Sequence, residues 1–243
     1  MSAGSKFSGR KGVKVPAQVK WLILLTSFSS IGYGYLTTAI AAYLPEQGVS
    51  SGHVGLIIGL SGLAMIISAI PFGLMSDRLG RKRLLLAGLT LLPLSMFICS
   101  LSTDPNLYLV AAIISGVAEG AILSTWNAMI ADQTNVDNRE MAFSMSFIVN
   151  GALSGLGFAL PFVFPWFMDL GGWTSEQMHS WAFILLGFVT LLSPLTVRHL
   201  LRDYRDTAPS ARLRRGTFLK ERSKKTLLRF SINNTLIGLM RRT

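Results

Sequence analysis

What this chain has least of is charge. Only 14% of its 243 residues are Asp, Glu, Lys or Arg, against about 25% in a soluble globular domain. Half of the residues are hydrophobic and the mean hydropathy is +0.47, which excludes an ordinary water-soluble fold. Cysteine is nearly absent. Cys99 stands alone inside an apolar run, so no intrachain disulfide can form and the thiol reads as a small packing residue. The sequence holds no metal-ligand cluster, phosphate-binding loop or nucleic-acid motif, so no metal, cofactor or nucleic-acid partner is expected. A net charge of +11 would otherwise point to nucleic acid or an anionic surface. Here the cations fall only before or between apolar runs, which makes a lipid bilayer the expected partner.

Six apolar runs occupy about residues 21–44, 54–75, 84–101, 107–131, 141–168 and 181–197. A hydrocarbon layer of ~30 Å needs roughly 17–25 helical residues. The runs are continuously apolar with no period of two, so they read as helices rather than barrel strands. The first run follows a basic segment but is 24 residues long, well beyond the ~7–15 of a cleavable signal core. It reads as an uncleaved first span.

The cations give the orientation. Lys and Arg number five in the N-terminal tail, four in 76–83, one in 132–140 and eleven in 198–229. The alternate connections, 45–53, 102–106 and 169–180, contain none. Trp21 marks one interface, and Tyr43, Tyr108, Trp166, Trp173 and Trp181 the other, as amphipathic rings prefer. The expectation is a multi-pass protein of the cell membrane with both termini cytoplasmic. Its parts would be a basic tail (1–20), a six-helix bundle (21–197), a basic loop (198–229) and an incomplete start of a seventh helix (230–243). The segment 230–240 would extend only about 16 Å as a helix. Either the reading frame is truncated or the protein is a natural half.

Between the second and third runs lies Gly73-Leu-Met-Ser-Asp77-Arg78-Leu-Gly80-Arg81-Lys82-Arg83. A tight turn with four cations cannot lie in hydrocarbon and belongs at a membrane surface. Its spacing, G-x-x-x-D-R-x-G-R-K, resembles the signature between helices two and three of the major facilitator superfamily. The match falls on Gly73, Asp77, Arg78, Gly80, Arg81 and Lys82. The resemblance implies an all-α integral membrane fold, half of a twelve-helix transporter, built as two inverted three-helix repeats. It also implies that the turn is a conformational latch, with Asp77 pairing Arg81 and Asp132 joining from the end of the fourth helix. A weak internal echo agrees: Gly34-Tyr-Leu-Thr-Thr parallels Gly120-Ala-Ile-Leu-Ser-Thr, and Asp77-Arg-Leu-Gly parallels Asp169-Leu-Gly.

Glu119 is the only acid in the middle of a span. A carboxylate there costs ~2.5–3.5 kcal/mol on insertion scales, so such residues face a cavity or a partner. Burial favours the neutral form, which suits reversible protonation. Glu119 is the candidate proton or substrate group, with Trp126 on the same helix face, Asn150 in the fifth span and Thr38 in the first. Helical spacing aligns Ser27, Ser30, Gly34 and Thr38 as a stripe of small and hydroxylated residues. Packing between helices is the competing account of such stripes and of the pairs Gly55/Gly59, Gly116/Gly120 and Gly151/Gly155. Two departures from the resembled family stand out. Gly116 occupies the arginine position of its R-x-x-Q-G pattern, and Leu156 stands where its antiporter signature carries proline.

The leading functional expectation is secondary-active transport of a small solute by alternating access, with a second six-helix half as partner. A second class is a six-span intramembrane serine protease, since Gly59-Leu-Ser61-Gly resembles the rhomboid-type motif. It requires a base within reach of Ser61, and His53, His179 and His199 all sit at span ends. The third expectation is a truncated half without transport of its own.

Overall fold

A computed structural model describes residues 14–202. Expectations for the first thirteen residues, the basic loop from 203 onward and the segment 230–243 lie outside the described residues. Six long helices cross the described unit: α1 (Ala17–Thr38), α2 (Ser51–Leu79), α3 (Arg81–Cys99), α4 (Pro105–Gln133), α5 (Val136–Ala159) and α6 (Ser175–Leu200). At 1.5 Å per residue, even the 19 residues of α3 reach about 28 Å. All six are long and apolar enough to cross a membrane, and among the described residues there is no strand. Each expected span is found, lengthened by a few residues where a polar cap lies outside the apolar run.

Those caps explain the starts. Ser50 accepts from the His53 N–H ahead of α2. Asp104 accepts from the Asn106 N–H ahead of α4, with Pro105 at the first position. Asn138 accepts from the Asn135 N–H at 2.8 Å, and Thr174 and Gln177 cap each other's N–H groups. Each cap satisfies amides that a helix start leaves open. Helix α1 continues through a π-helical turn, Ala39–Tyr43, into Leu44–Glu46. At Pro161 and Pro165 the helix is interrupted: α5 gives way to a 3-10 turn, Leu160–Val163, then a short helix, Phe164–Gly171, because proline cannot donate to the turn before it.

The most extensive pairings are α2 with α4, α3 with α4, α1 with α5, α1 with α6, and α3 with α6. Exchanging α1, α2, α3 for α4, α5, α6 maps this set onto itself, as two inverted three-helix repeats require. The glycines obey the same exchange. A Cβ at Gly34 would lie 2.2 Å from the Ser154 carbonyl on α5, and one at Gly120 would lie 2.1 Å from Ser68 Oγ on α2. Gly116 approaches α2 as closely, against the Ser61 carbonyl. The packing expectation therefore applies to Gly116/Gly120 alone. Gly55/Gly59 and Gly151/Gly155 face open space and join no helices. In their place Gly157 presses on α1 at the Ile31 carbonyl.

Buried side chains form two cores, one toward each end of the bundle. One gathers Tyr35, Tyr43, Met96, Cys99, Tyr108 and Phe183; the other gathers Leu22, Ile23, Leu89, Met129, Ile130 and Val197. Cys99 is buried, as a packing residue should be. Helices α2 and α5 bury least, with Ile66, Ile70, Phe147 and Ile148 all more than 60% exposed. Such faces suit lipid or a protein neighbour.

Candidate functional site

Between the two cores lie two cavities. The larger, about 370 Å³, is lined from α1 by Thr26, Ser29, Ser30 and Tyr33, from α4 by Glu119, Trp126 and Asn127, and from α5 by Phe143, Ser146, Phe147 and Asn150. The smaller, about 180 Å³, is lined by Tyr33, Leu36 and Thr37 of α1, Ser61 and Met65 of α2, and Ser115 and Glu119 of α4. Following α1 from residue 26 to 40 moves from the larger to the smaller cavity, away from the charged α2–α3 turn. The cavities therefore succeed one another along α1.

The structure brings Glu119, Trp126 and Asn150 together in the larger cavity. Thr38 is not among them. Its hydroxyl turns back to the Gly34 carbonyl, and it lines neither cavity. The expected α1 stripe is rotated as well: Ser27 bonds to the Ile23 carbonyl and Gly34 is spent on α5 packing, so the lining face is 26, 29, 30, 33 and 37. Sequence reasoning missed Tyr33, Thr26, Ser146 and Asn127. Tyr33 was legible, because it stands seven residues after Thr26 and three after Ser30, on one helical face.

A hydrogen-bonded chain crosses the larger cavity. Ser30 Oγ donates to Asn150 Oδ1 at 2.7 Å, and Asn150 Nδ2 donates to the Ser146 carbonyl at 2.9 Å and to Ser146 Oγ at 3.2 Å. Trp126 Nε1 donates to the same Oγ at 3.0 Å. The chain ties α1, α5 and α4 together. Glu119 stays outside it, with no hydrogen bond or ion pair to any described residue, and is left to act on whatever enters the cavity. The Tyr33 hydroxyl and the Asn127 side chain, on the same wall, likewise bond to no described residue.

At the charged end, Gly80 ends α2 and begins α3 with φ 96° and ψ 136°, a conformation that L side chains resist. The sharp reversal places Arg81 at the start of α3, where its guanidinium donates to Asp132 and, at 3.1 Å, to the Ala128 carbonyl of α4. Lys82 donates to the Leu201 carbonyl just after α6. A Cβ at Gly73 would lie 3.9 Å from the Ser124 Cβ of α4, and Arg78 is exposed in the last turn of α2. The Asp77 side chain, and with it the expected Asp77–Arg81 pairing, lies outside the described residues. Arg139, which sequence reasoning passed over, donates to the Ala131 and Thr134 carbonyls at the end of α4. Lys82 and Arg139 thus close helix ends, where carbonyls lack intrahelical donors, while Arg81 ties α3 to the last turns of α4.

The Major Facilitator Superfamily model matches residues 22–240. The chain belongs to that superfamily. Among its relatives are the inner membrane transport protein YajR of Escherichia coli (strain K12), 37% identical over 117 residues, which are 48% of this chain and 24% of that protein. The gallate transporter of Pseudomonas putida is 26% identical over 164 residues, 65% of this chain and 36% of that protein. The quinolone resistance protein NorA of Staphylococcus aureus (strain MRSA252) is 24% identical over 182 residues, 74% of this chain and 44% of that protein. Among solved structures, a bacterial homologue of the human lysosomal transporter Spinster, in an inward-facing and unoccupied conformation, aligns with TM-score 0.59 at 15% identity. That match covers 79% of this chain and 44% of that one. It speaks to fold alone. The chain spans 24–44% of the length of these relatives.

The superfamily is one of membrane transporters rather than enzymes, and this chain carries six helices long and apolar enough to cross a membrane. The protease motif finds no support in the geometry either. Ser61 lines the smaller cavity and makes no hydrogen bond to a histidine. His179 is held by the Tyr35 hydroxyl at 2.7 Å, and His53 by Ser50.

Proposed function

We propose that this chain supplies one six-helix half of a secondary transporter, moving a small solute by alternating access past the cavities between α1, α4 and α5. The observation that carries this reading is Glu119: a carboxyl at mid-span, facing a cavity, with no structural partner among the described residues. Such a group is neutral when the site is closed and ionises when water reaches it. Proton movement can thereby be tied to the change of access. Trp126 offers a ring face and Asn150 an amide beside it. The Arg81–Asp132 pair, with Asp77, Arg78, Gly80 and Lys82, forms a latch that is made in one access state and released in the other. The partners in this reading are the solute, the bilayer and a second six-helix half completing the cavity wall. The cation-rich connections support an orientation with both termini in the cytoplasm, at a plasma membrane.

Vesicles from cells expressing the full gene product test the reading. Gallate and a quinolone, named for two of the relatives, are reasonable first solutes. Glu119→Gln is expected to abolish pH-dependent transport or to uncouple it from the proton gradient. Unchanged pH-dependent transport in that variant would remove Glu119 from the mechanism.

A further inference from the structure

The two cavities share only Tyr33 and Glu119 among their lining residues. Every other lining residue belongs to one cavity or the other, so these two side chains stand at the junction. Their placement follows from the repeat. Tyr33 directly precedes Gly34 and Glu119 directly precedes Gly120, and each glycine is pinned against a neighbouring helix, α5 for Gly34 and α2 for Gly120. One residue is a rotation of about 100° on a helix. Equal offsets from equivalent contacts therefore turn both side chains toward the space between α1 and α4.

We propose that Tyr33 is a positioning residue that, with Glu119, forms the partition between the two cavities and controls passage from one to the other. The proposal rests on reading the cavities as the solute path. The chemistry suits it. Glu119 and the Tyr33 phenol line both cavities at the same junction, and the phenol hydroxyl donates to no described residue. Among the described residues, Tyr33 and Glu119 are also the only ionisable side chains lining either cavity. A phenol O–H bonds more strongly to a carboxylate than to a neutral carboxyl. The ionised acid therefore draws the ring across the junction, and protonation of Glu119 releases it. The partition is closed toward higher pH and loosened toward lower pH.

Thiol labelling tests this without knowing the solute. Asn127→Cys reports on the larger cavity and Thr37→Cys on the smaller, each in the full gene product; buried Cys99 is controlled by the unmodified chain. The probe is a membrane-impermeant trimethylammonium methanethiosulfonate, applied to right-side-out and inverted vesicles at pH 6 and pH 8. Each reporter is expected to react from one face, the two from opposite faces, with selectivity weaker at pH 6. Tyr33→Ala should raise reaction from the unfavoured face at least tenfold. Tyr33→Phe should keep the ring and the face selectivity but abolish the pH dependence. Unchanged selectivity in Tyr33→Ala, or an intact pH dependence in Tyr33→Phe, overturns the proposal. If Tyr33→Ala does not reach the membrane, the isosteric Tyr33→Phe decides alone. Because labelling needs no transported solute, its outcome is separate from that of the Glu119→Gln transport assay.

Discussion

Replacing glycine by alanine should change sign with position along this bundle. In an open helical position the added methyl restricts the unfolded backbone and favours the helix by ~1 kcal/mol. At Gly59 and Gly155 a new Cβ meets nothing within 4 Å, so Gly59→Ala and Gly155→Ala should be neutral or slightly stabilising. At Gly120 the same atom would sit 2.1 Å from Ser68 Oγ and 2.7 Å from the Met65 carbonyl; at Gly116 it would sit 2.2 Å from the Ser61 carbonyl. The serine hydroxyl can rotate away, but the carbonyls cannot. Ordinary contact begins near 3.4 Å, so α2 and α4 must separate by roughly 1 Å, giving up the close approach that holds membrane helices together. Overpacking of this kind costs about 1–3 kcal/mol, which outweighs the gain in propensity. At about 2–4 °C per kcal/mol for a chain of this size, Gly116→Ala should lower Tm by several degrees, and Gly120→Ala by somewhat less. Thermal unfolding of the detergent-solubilised protein, followed by tryptophan fluorescence, measures both sets side by side. A rise in Tm for Gly116→Ala matching that for Gly59→Ala would refute the α2–α4 packing.

Three further outcomes are expected. The Arg81–Asp132 pair is only 16% and 31% exposed, so a double-mutant cycle of Arg81→Ala with Asp132→Ala should show a coupling of about 0.5–2 kcal/mol; strict additivity would mean the two groups do not interact. Ser146→Ala removes the hydroxyl that accepts from Trp126 Nε1 with little change in volume, and should lower stability by about 0.6–1 kcal/mol, a loss readable in the same thermal assay and absent if the bond does not form. Single cysteines at Asp104 and Gly172 should label only from the extracytoplasmic face and one at Asn135 only from the cytoplasm; labelling of Asp104 from the cytoplasm alone would invert the orientation.

Much of the architecture was legible because bilayer constraints are severe. A span must be long, apolar and helical, and a Gly-containing turn carrying four cations must reach the surface. The charged turn was legible for the same reason, and Arg81 does meet Asp132. Helix faces were harder to read. Small residues are scattered through every span, and one residue of rotational error moves a stripe by about 100°. That error placed Thr38 in the cavity and left Tyr33 out. The glycine pairs failed in the same way: three pairs share one spacing, yet only Gly116/Gly120 meets another helix.

The sequence by itself determined the solvent, the number of crossings, the surface turn and the single mid-span carboxyl, because each depends on local composition that no neighbour can alter. The tertiary structure alone decided which face of each helix turns inward, which glycines are compressed and which side chains share a cavity. Those outcomes depend on the relative rotation of packed helices. That rotation is set by close contacts such as Gly34 with Ser154 and Gly120 with Ser68, between residues far apart in the chain.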